Sequence, residues 1–376
     1  MKTADTMIPV FRPSCGEEEI RLVTEVLRSG WWGLGPKTKA FEDEFARYVA
    51  AGHAVALNSA TAALHLGLRA LGVEGREVIT PSMTFVSTNH EIIHNQATPV
   101  FADIQPDTLN IDPDDIERKI TPRTAAIVVV HYGGHPCDLD RIRAIAAARR
   151  IPVLEDAAHA CGARYKDQPI GSISEMTSFS FHAVKNLATG DGGMLTMKDP
   201  EIDARLRRAR WLGINKDTWT RADDGKNYAW AYNVEEFGFK SHMNDITAAI
   251  GLAQLARLDQ TNARRRAIAQ RYSAAFSGLP WLERPVEKPG VRSAWHNYVV
   301  KVDRRDAFMK HLQERGVSTG MHYIPNHLYE IYKPYATPLP VTERVWARLV
   351  TLPLFPDLTD AETQTVIDAV TSFRPS

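Results

Sequence analysis

The chain has 376 residues, and its 45 basic and 45 acidic side chains leave a formal net charge of +0. This balance argues against a nucleic acid or an acidic membrane surface as a partner, because both select strongly basic proteins. A composition with 44% hydrophobic and 24% charged residues is typical of a globular protein. The length exceeds one average domain. We therefore expect a large domain with an N-terminal arm over residues 1–258, and a linking helix with a smaller domain over residues 259–376.

The cysteines and the hydropathy pattern bear on where the protein works. Cys15, Cys137 and Cys161 show neither metal-ligand spacing nor the pattern of a disulfide framework. No apolar run approaches the roughly 20 residues that span a bilayer, and the N-terminus lacks the core of a signal peptide. We therefore expect a protein of the reducing cytoplasm that has no membrane partner.

Strand-like and helix-like patterns alternate between residues 55 and 197. Because helical crossovers join parallel strands, this alternation predicts an α/β fold with a mostly parallel sheet. Residues 138–150 predict one of the helices, with Asp138 as its N-cap and with Ile142 and Ile145 on the buried face. The predicted strands are Ala54–Leu57, Glu77–Thr80, Pro99–Ile104, Ala125–His131 and Pro152–Leu154.

The rest of the chain predicts a second, smaller region. A long helical pattern runs from about residue 243 to residue 279, and the Pro- and Gly-rich stretch Pro280–Arg292 follows it. We expect the smaller sheet to start near this stretch, with a strand at Trp295–Val302 and a helix at Arg304–Arg315.

The first predicted strand turns through small polar residues into a predicted helix, Thr61–Leu68. A turn of this kind exposes backbone N–H groups and the positive end of the helix dipole, which suits a phosphate group. Ser59 and Thr61 could add hydroxyl donors, and Ser180 could add another from a later strand. Ordinary helix capping explains Ser59 equally well, so both interpretations stay open at this point.

The most informative segment is Ser178–Asn186, which predicts a short strand that delivers a lysine to the glycine-rich turn Thr189–Gly193. Alternation would place Phe179 and Phe181 in the core. Lys185 then follows the strand end, where α/β enzymes place their chemistry. A solvated surface lysine is the common alternative, and a second motif further up the chain argues against it.

That second motif ends with an acid, Asp156, at the C-terminal end of the strand that starts at Ile151. Pyridoxal phosphate needs a lysine for an imine, an acid against its pyridine nitrogen and a cradle for its phosphate. An ionised Asp156 would keep the ring nitrogen protonated, because an opposite charge favours the charged form. Taken alone, Asp156 could equally be an N-cap of a helix at Ala157–Ala160. Together with Lys185 and the phosphate turn, it predicts a pyridoxal phosphate site.

These segments, in this order, resemble the DegT/DnrJ/EryC1/StrS group of pyridoxal-phosphate aminotransferases, which act on nucleotide-linked keto sugars. The resemblance extends over nearly the whole chain, and the 4-amino-sugar branch is the most similar. It implies the fold type I architecture: a mostly parallel central sheet with a smaller α+β C-terminal domain. The matching segments are Gly30–Pro36, Asn58–Leu64, Pro81–Thr88, Pro99–Ile104, His131–Asp138, Glu155–His159, Ser180–Lys185, Asn244–Gly251 and Leu352–Pro356.

The resemblance also implies residue roles. Lys185 would carry the cofactor through an imine, and Asp156 would bind the pyridine nitrogen. Phe85 would stack on the ring face, although core packing is an alternative for this residue. His159 would lie near the 3-oxygen of the ring. The phosphate would be held by Ala60, Thr61 and Ser180, with Ser59 nearby.

Family members are homodimers in which both subunits contribute to each site, so the resemblance implies the same here. The loop Gly238–Asp245 would reach the neighbouring subunit's cofactor phosphate. Many relatives carry an asparagine and an arginine where Lys240 and His242 stand. Lys240 could instead supply a charge to that phosphate, and Asn233 is another candidate. A plain surface lysine is an equally good interpretation of Lys240.

The activity that the resemblance implies is transfer of an amino group from glutamate to a nucleotide-linked 4-keto (6-deoxy) sugar. Lys185 would move the α-proton, because a desolvated lysine has a lowered pKa. Alternatives are a 3-keto sugar or an inosose as the acceptor, or a regulatory protein that keeps the fold without catalysis. A sugar 3-dehydratase is disfavoured because that branch replaces the lysine with histidine. Candidate substrate contacts are Trp31, Trp32, His322, Tyr323, His327 and Tyr329.

Overall fold

The computed structural model describes residues 7–215 and 232–375. Among these residues, no helix is both long enough and apolar enough to cross a membrane. The helices, α1 to α12 in chain order, are Glu17–Ser29, Pro36–Tyr48, Ala60–Ala70, Val86–His94, Pro113–Lys119, Leu139–Arg149, Pro200–Ala209, Asp245–Ala256, Leu258–Ala275, Arg305–Glu314, Pro340–Trp346 and Asp360–Thr371. The strands, β1 to β13, are His53–Leu57, Glu77–Pro81, Thr98–Ala102, Thr124–Val130, Val153–Asp156, Arg164–Tyr165, Gln168–Pro169, Met176–Ser180, Gly193–Met197, Leu282–Glu283, Val291–Arg292, Tyr298–Val302 and Leu349–Leu352.

Within residues 7–215 and 232–375, the larger sheet has seven strands in the order β1-β9-β8-β5-β4-β2-β3. Strands β3, β2, β4, β5 and β8 pair in parallel. Only β9 runs antiparallel to its neighbours, β8 and β1. Alternate residues of β4 enter two different apolar clusters, Ile127 and Val129 one and Val128 the other, because both faces of the sheet are covered. The predicted α/β fold with a mostly parallel sheet is confirmed.

The predicted helices and strands overlap observed ones, with shifted boundaries. The helix predicted at residues 138–150 is α6, and the side chain of Asp138 caps it by accepting a hydrogen bond from the Arg141 N–H at 3.3 Å. The single helix predicted over residues 243–279 is two helices, α8 and α9. The break falls at Arg257, whose backbone leaves the helical region (φ −110°, ψ 5°).

The smaller sheet is antiparallel, in the order β10-β12-β13. The strand predicted at Trp295–Val302 starts only at Tyr298, because Trp295 has a left-handed backbone (φ 48°) that a strand cannot continue. Helices α9, α10 and α12 enclose a separate apolar cluster against this sheet, and Ile8 from the N-terminal arm joins that cluster.

Residues 284–290 join the smaller sheet to a third sheet of three short strands, in the order β11-β6-β7. Strand β10 pairs with β12 of the smaller sheet, whereas β11 pairs with β6 of the hairpin that precedes the lysine strand. That hairpin lies in the chain between Asp156 and Lys185. The domain division at residue 258 stays a prediction.

Candidate functional site

A cavity of about 310 Å³ lies at the C-terminal ends of β5 and β8, the edge at which α/β proteins bind ligands. The N-terminus of α3 forms one wall, and the loop at His322 forms another. The structure therefore brings together residues that are far apart in the chain. Ten of the residues singled out in the sequence line the cavity: Ser59, Ala60, Thr61, Phe85, Asp156, His159, Ser180, Lys185, His322 and Tyr323.

Lys185 reaches the cavity because β8 is firmly anchored behind it. Phe179 and Phe181 are fully buried, as the alternation predicted, and the Lys185 N–H donates to the His182 carbonyl at 2.8 Å. Burial lowers the pKa of the Lys185 amine to about 8, although the negative charge of Asp156 opposes this shift. No hydrogen bond within the described ranges occupies its Nζ. A partly neutral, unengaged amine is suited to trapping a carbonyl and to moving protons.

Asp156 is the last residue of β5 and is buried. Its Oδ2 accepts from the Thr88 hydroxyl at 2.8 Å, and its Oδ1 accepts from the Ala158 N–H at 3.0 Å. No helix follows Asp156, because residues 158–159 form a turn, so the alternative of a helix N-cap does not hold. Burial raises the pKa of this carboxyl above its ordinary value, while the bond from Thr88 opposes the change. A protonated ring nitrogen would supply the opposite charge that this carboxylate lacks.

His159 presents one defined nitrogen to the cavity. The Gly133 N–H donates to its Nδ1 at 3.3 Å, so the proton of the neutral imidazole belongs on Nε2, 2.9 Å from the Tyr323 hydroxyl. Burial holds the pKa of His159 well below its usual range, and the positive charges of Lys185 and His322 lower it further. The ring is therefore neutral at physiological pH.

The turn before α3 forms the predicted phosphate end of the cavity. The Ser59 hydroxyl accepts from the Ala62 N–H at 3.1 Å, so this side chain caps the helix. A Cβ at Gly193 would lie 2.4 Å from the Ser59 carbonyl carbon and 2.5 Å from the Ala60 nitrogen. Only glycine therefore lets β9 pass this close to the turn. The N–H groups of the first helical turn and the dipole of α3 suit a phosphate group.

Phe85 is 56% exposed although it is a large apolar side chain. The alternative of core packing is therefore wrong. Its ring lies 5.9 Å from that of Tyr323, centroid to centroid, at the mouth of the cavity. A flat aromatic ligand in the cavity would cover this face.

Six singled-out residues lie outside the cavity of their own chain. Trp31 donates through Nε1 to the Leu34 carbonyl at 3.1 Å, and Trp32 donates to the Leu27 carbonyl at 3.2 Å. His327 is buried, with its Nδ1 2.7 Å from the Ser82 hydroxyl. The other three are exposed on the surface: Asn233, Lys240 and Tyr329.

Sequence reasoning missed three residues that shape the site. Thr88 was within a matching segment, and its position one helical turn after Phe85 was the available signal. His296 and Phe11 carry no local motif. They reach the site only through the packing of the N-terminal arm against the second part of the chain, where their rings stack 5.4 Å apart.

Residues 13–371 match the DegT/DnrJ/EryC1/StrS aminotransferase family. The chain belongs to this family. The spore coat polysaccharide biosynthesis protein SpsC of Bacillus subtilis is 46% identical over 375 residues, which is 96% of each chain. The aminotransferase TlmJ of Streptoalloteichus hindustanus has a TM-score of 0.91 at 39% identity, with 97% of this chain and 98% of that chain covered. A candidate sugar aminotransferase, Spr1654 of Streptococcus pneumoniae in its PLP form, has a TM-score of 0.89 at 35% identity, with 97% of each chain covered.

Family membership makes this protein an aminotransferase that depends on pyridoxal 5'-phosphate, with the fold type I architecture. The residues present fit that cofactor. The cavity offers a lysine without a hydrogen-bond partner on its amine, a buried carboxylate and an exposed aromatic face. It also offers a helix N-terminus that stays open because Gly193, which packs against it, carries no side chain. The family predicted from the sequence is confirmed.

Proposed function

We propose that this aminotransferase moves an amino group from glutamate to a nucleotide-linked 4-keto (6-deoxy) sugar and so forms a 4-amino sugar nucleotide. The observation that carries the proposal is that Lys185 and Asp156 line one cavity, with the N-terminus of α3 at its end. The names of the relatives support a sugar acceptor, because SpsC belongs to polysaccharide biosynthesis and Spr1654 is a candidate sugar aminotransferase.

Each cofactor contact has a proposed residue. Bound pyridoxal phosphate would supply an electron-poor ring that takes up the electron pair left behind when the donor loses its α-proton. Asp156 would keep the ring nitrogen protonated, Phe85 would cover one ring face, and His159 would lie near the 3-oxygen. The phosphate would be held at the α3 end of the cavity by Ser59, Ala60, Thr61 and Ser180.

Lys185 would serve in two ways. Its Nζ would hold the cofactor covalently between turnovers, and once displaced by the amino donor it would carry the α-proton. A pKa of about 8 leaves a useful fraction of this amine unprotonated near neutral pH. The same group can therefore accept a proton from the donor and return one to the acceptor.

We also propose a cytoplasmic homodimer in which the neighbouring subunit supplies Lys240 and Asn233 to the phosphate. Within the described part of the chain, the loop that carries these residues leaves Phe237 94% exposed and Val234 56% exposed. Apolar side chains this open are typical of a surface that another chain covers. Sugar and nucleotide contacts would come from Trp31, Trp32, His322, Tyr323, His327 and Tyr329.

Mass spectrometry of products tests the proposal. The purified enzyme is incubated with glutamate together with one class of acceptor at a time. The acceptor classes are nucleotide-linked 4-keto sugars, nucleotide-linked 3-keto sugars and inososes. We expect a gain of one amine on the 4-keto sugars only. A 3-amino sugar or an amino-cyclitol as the main product would contradict the assignment of the acceptor. No amine on any acceptor, while glutamate is still converted to its keto acid, would contradict the sugar class itself.

A further inference from the structure

Four rings from separate parts of the chain stack on one another beside the cavity. The centroids of Phe11 and His296 lie 5.4 Å apart with planes 9° apart. His296 and His159 are closer, at 4.4 Å and 26°, and His159 lies 5.8 Å from Tyr323 at 25°. His159 and Tyr323 line the cavity, and the rings of Phe11 and His296 support them from behind.

The protonation of His296 follows from the partners of Asn186. The Nδ2 of Asn186 donates to the Asn262 Oδ1 at 2.7 Å and to the Ala294 carbonyl at 2.8 Å. These two bonds use both amide protons and so identify the other atom as Oδ1, an amide oxygen that can only accept. His296 Nδ1, 3.0 Å away, must therefore carry a proton and donate it. Burial also lowers the pKa of His296 well below its usual range, and the ring is neutral.

Two neutral imidazoles can stack at 4.4 Å, whereas two imidazoliums would repel each other. The stack blocks rotation of the His159 ring, while the Gly133 N–H fixes which of its nitrogens carries the proton. His296 is itself held in place, because it is 1% exposed and bonded to Asn186. The ring of His159 is thus restrained from one face and from one edge.

We propose that His296 is a positioning residue of this aminotransferase: it holds the His159 imidazole in a single orientation and couples that ring to the segment that carries Lys185. The coupling runs through Asn186, which directly follows Lys185 in the chain. The proposal rests on the proposed function, which places His159 beside the cofactor. Its first test therefore uses protein without cofactor or substrate.

Two substitutions separate the ring from its hydrogen bond. His296→Phe keeps a flat ring against His159 but removes the donor to Asn186. His296→Gln keeps an amide donor but removes the ring. Phe308→Leu is the matched control, because Phe308 is fully buried in the apolar cluster of the smaller sheet and makes its ring contacts with Trp281 and Phe373.

The first measurement is the ¹⁵N spectrum of histidine-labelled, cofactor-free protein, with the His159 signals identified by their loss in His159→Gln. The groups that face His159 are Lys185, His296, His322 and Tyr323. We expect a single neutral form of His159, protonated on Nε2, near neutral pH in the unaltered protein and in His296→Phe. In His296→Gln the His159 ring can rotate, so the Gly133 N–H no longer always meets the same nitrogen, and we expect mixed tautomers. An unchanged His159 spectrum in His296→Gln would overturn the proposal.

The second measurement is the single-turnover reaction of the cofactor-loaded enzyme with glutamate, in which the amino group stays on the cofactor. Here kcat and KM denote the limiting rate constant of this half-reaction and the glutamate concentration that gives half of it. We expect His296→Gln to lower kcat about tenfold with the KM for glutamate within about twofold, because the defect is one of orientation. His296→Phe should recover most of the loss. Phe308→Leu should lose stability but keep its kcat. A kcat in His296→Gln equal to that of Phe308→Leu, with the His159 tautomer also unchanged, would leave only a structural role for His296.

The two measurements also separate this proposal from the proposed function. The sample for the spectrum contains neither sugar nor cofactor. An enzyme that rejects every nucleotide sugar can therefore still show the expected change at His159. Conversely, the sugar acceptor could be confirmed while the His159 spectrum stays unaltered in His296→Gln. That result would contradict the positioning role of His296 but not the proposed function.

Discussion

The two sides of the cavity are built in different ways. The cofactor end, formed by the α3 turn, Asp156 and Lys185, consists of residues at strand ends and helix starts, and neighbouring backbone fixes them. The far wall is formed by His322 and Tyr323, and the rings of Phe11 and His296 pack behind the lining residues. These rings are fixed by contacts between distant segments. The larger sheet and the helix and loops that adjoin it therefore fix the residues at the cofactor end. We infer that the contacts that vary with the substrate lie in the far wall, which depends on the packing of distant segments.

If this comparison is right, damage to the cofactor end should remove the cofactor, and damage to the far wall should leave it bound. The largest effect is expected for Lys185→Ala, which removes the only group proposed to hold the cofactor covalently. Turnover should fall about a thousandfold or more. Borohydride reduction followed by mass measurement should find no added cofactor on the protein.

Lys39→Ala is the matched control for this variant, because Lys39 is exposed on α2 and pairs with Asp43. It should turn over and attach the cofactor normally. A Lys185→Ala variant with ordinary turnover would remove this lysine from the mechanism.

The second effect concerns Asp156→Asn and has opposite signs in the two forms of the protein. With cofactor bound, turnover should fall about a hundredfold, because the charge beside the ring nitrogen is lost. Without cofactor, the raised pKa of Asp156 means that the folded protein holds this proton more tightly than the unfolded chain does. Asp156 therefore lowers the free energy of unfolding as the pH rises above the ordinary pKa of an aspartate.

Urea unfolding of cofactor-free protein checks the second half of this prediction. The gain of Asp156→Asn in the free energy of unfolding over the unaltered protein should be larger near pH 7 than near pH 4. A difference that is the same at both pH values would show that the Asp156 carboxylate carries no such cost.

The third effect is expected for Gly193→Ala, which places a methyl group against the Ser59–Ala60 peptide. The turn must shift, so we expect about tenfold weaker binding of pyridoxal phosphate and a loss of about 1–3 kcal/mol in stability. Gly278→Ala is the control, since no atom lies within 4 Å of the added carbon. Titration of cofactor-free protein with pyridoxal phosphate measures the first loss. Equal affinities in the two variants would contradict the assignment of the phosphate to this turn.

The smallest effect is expected for Tyr323→Phe on the far wall. The hydroxyl that lies 2.9 Å from His159 Nε2 is lost, but the ring remains. The same hydroxyl is proposed to contact the sugar, so its removal should raise the KM for the sugar about threefold to tenfold, while cofactor affinity stays within about twofold. Steady-state kinetics and cofactor titration measure the two. A loss of cofactor affinity greater than the loss for the sugar would break the comparison between the two sides.

The same contrast explains what the sequence could predict. Strand alternation, glycine and small polar residues are local signals, so the lysine strand, Asp156 and the α3 turn were found. Phe85 was ambiguous, because a single aromatic residue does not reveal whether its ring is packed or open. His296 and Phe11 could not be found, since their roles depend on which distant rings they meet. The break at Arg257 and the left-handed Trp295 depend on tertiary contacts and were missed for the same reason.

The pairing of β10 and β11 with different sheets has a practical consequence. The exposed stretch between them, residues 284–290, joins two strands that pair with different sheets: β10 pairs with β12 and β11 pairs with β6. A protease that nicks this stretch would cut the covalent chain without releasing either piece. The nicked enzyme should migrate as one particle in size-exclusion chromatography and as two bands after denaturation, which makes this stretch a natural place to split the protein for a complementation reporter.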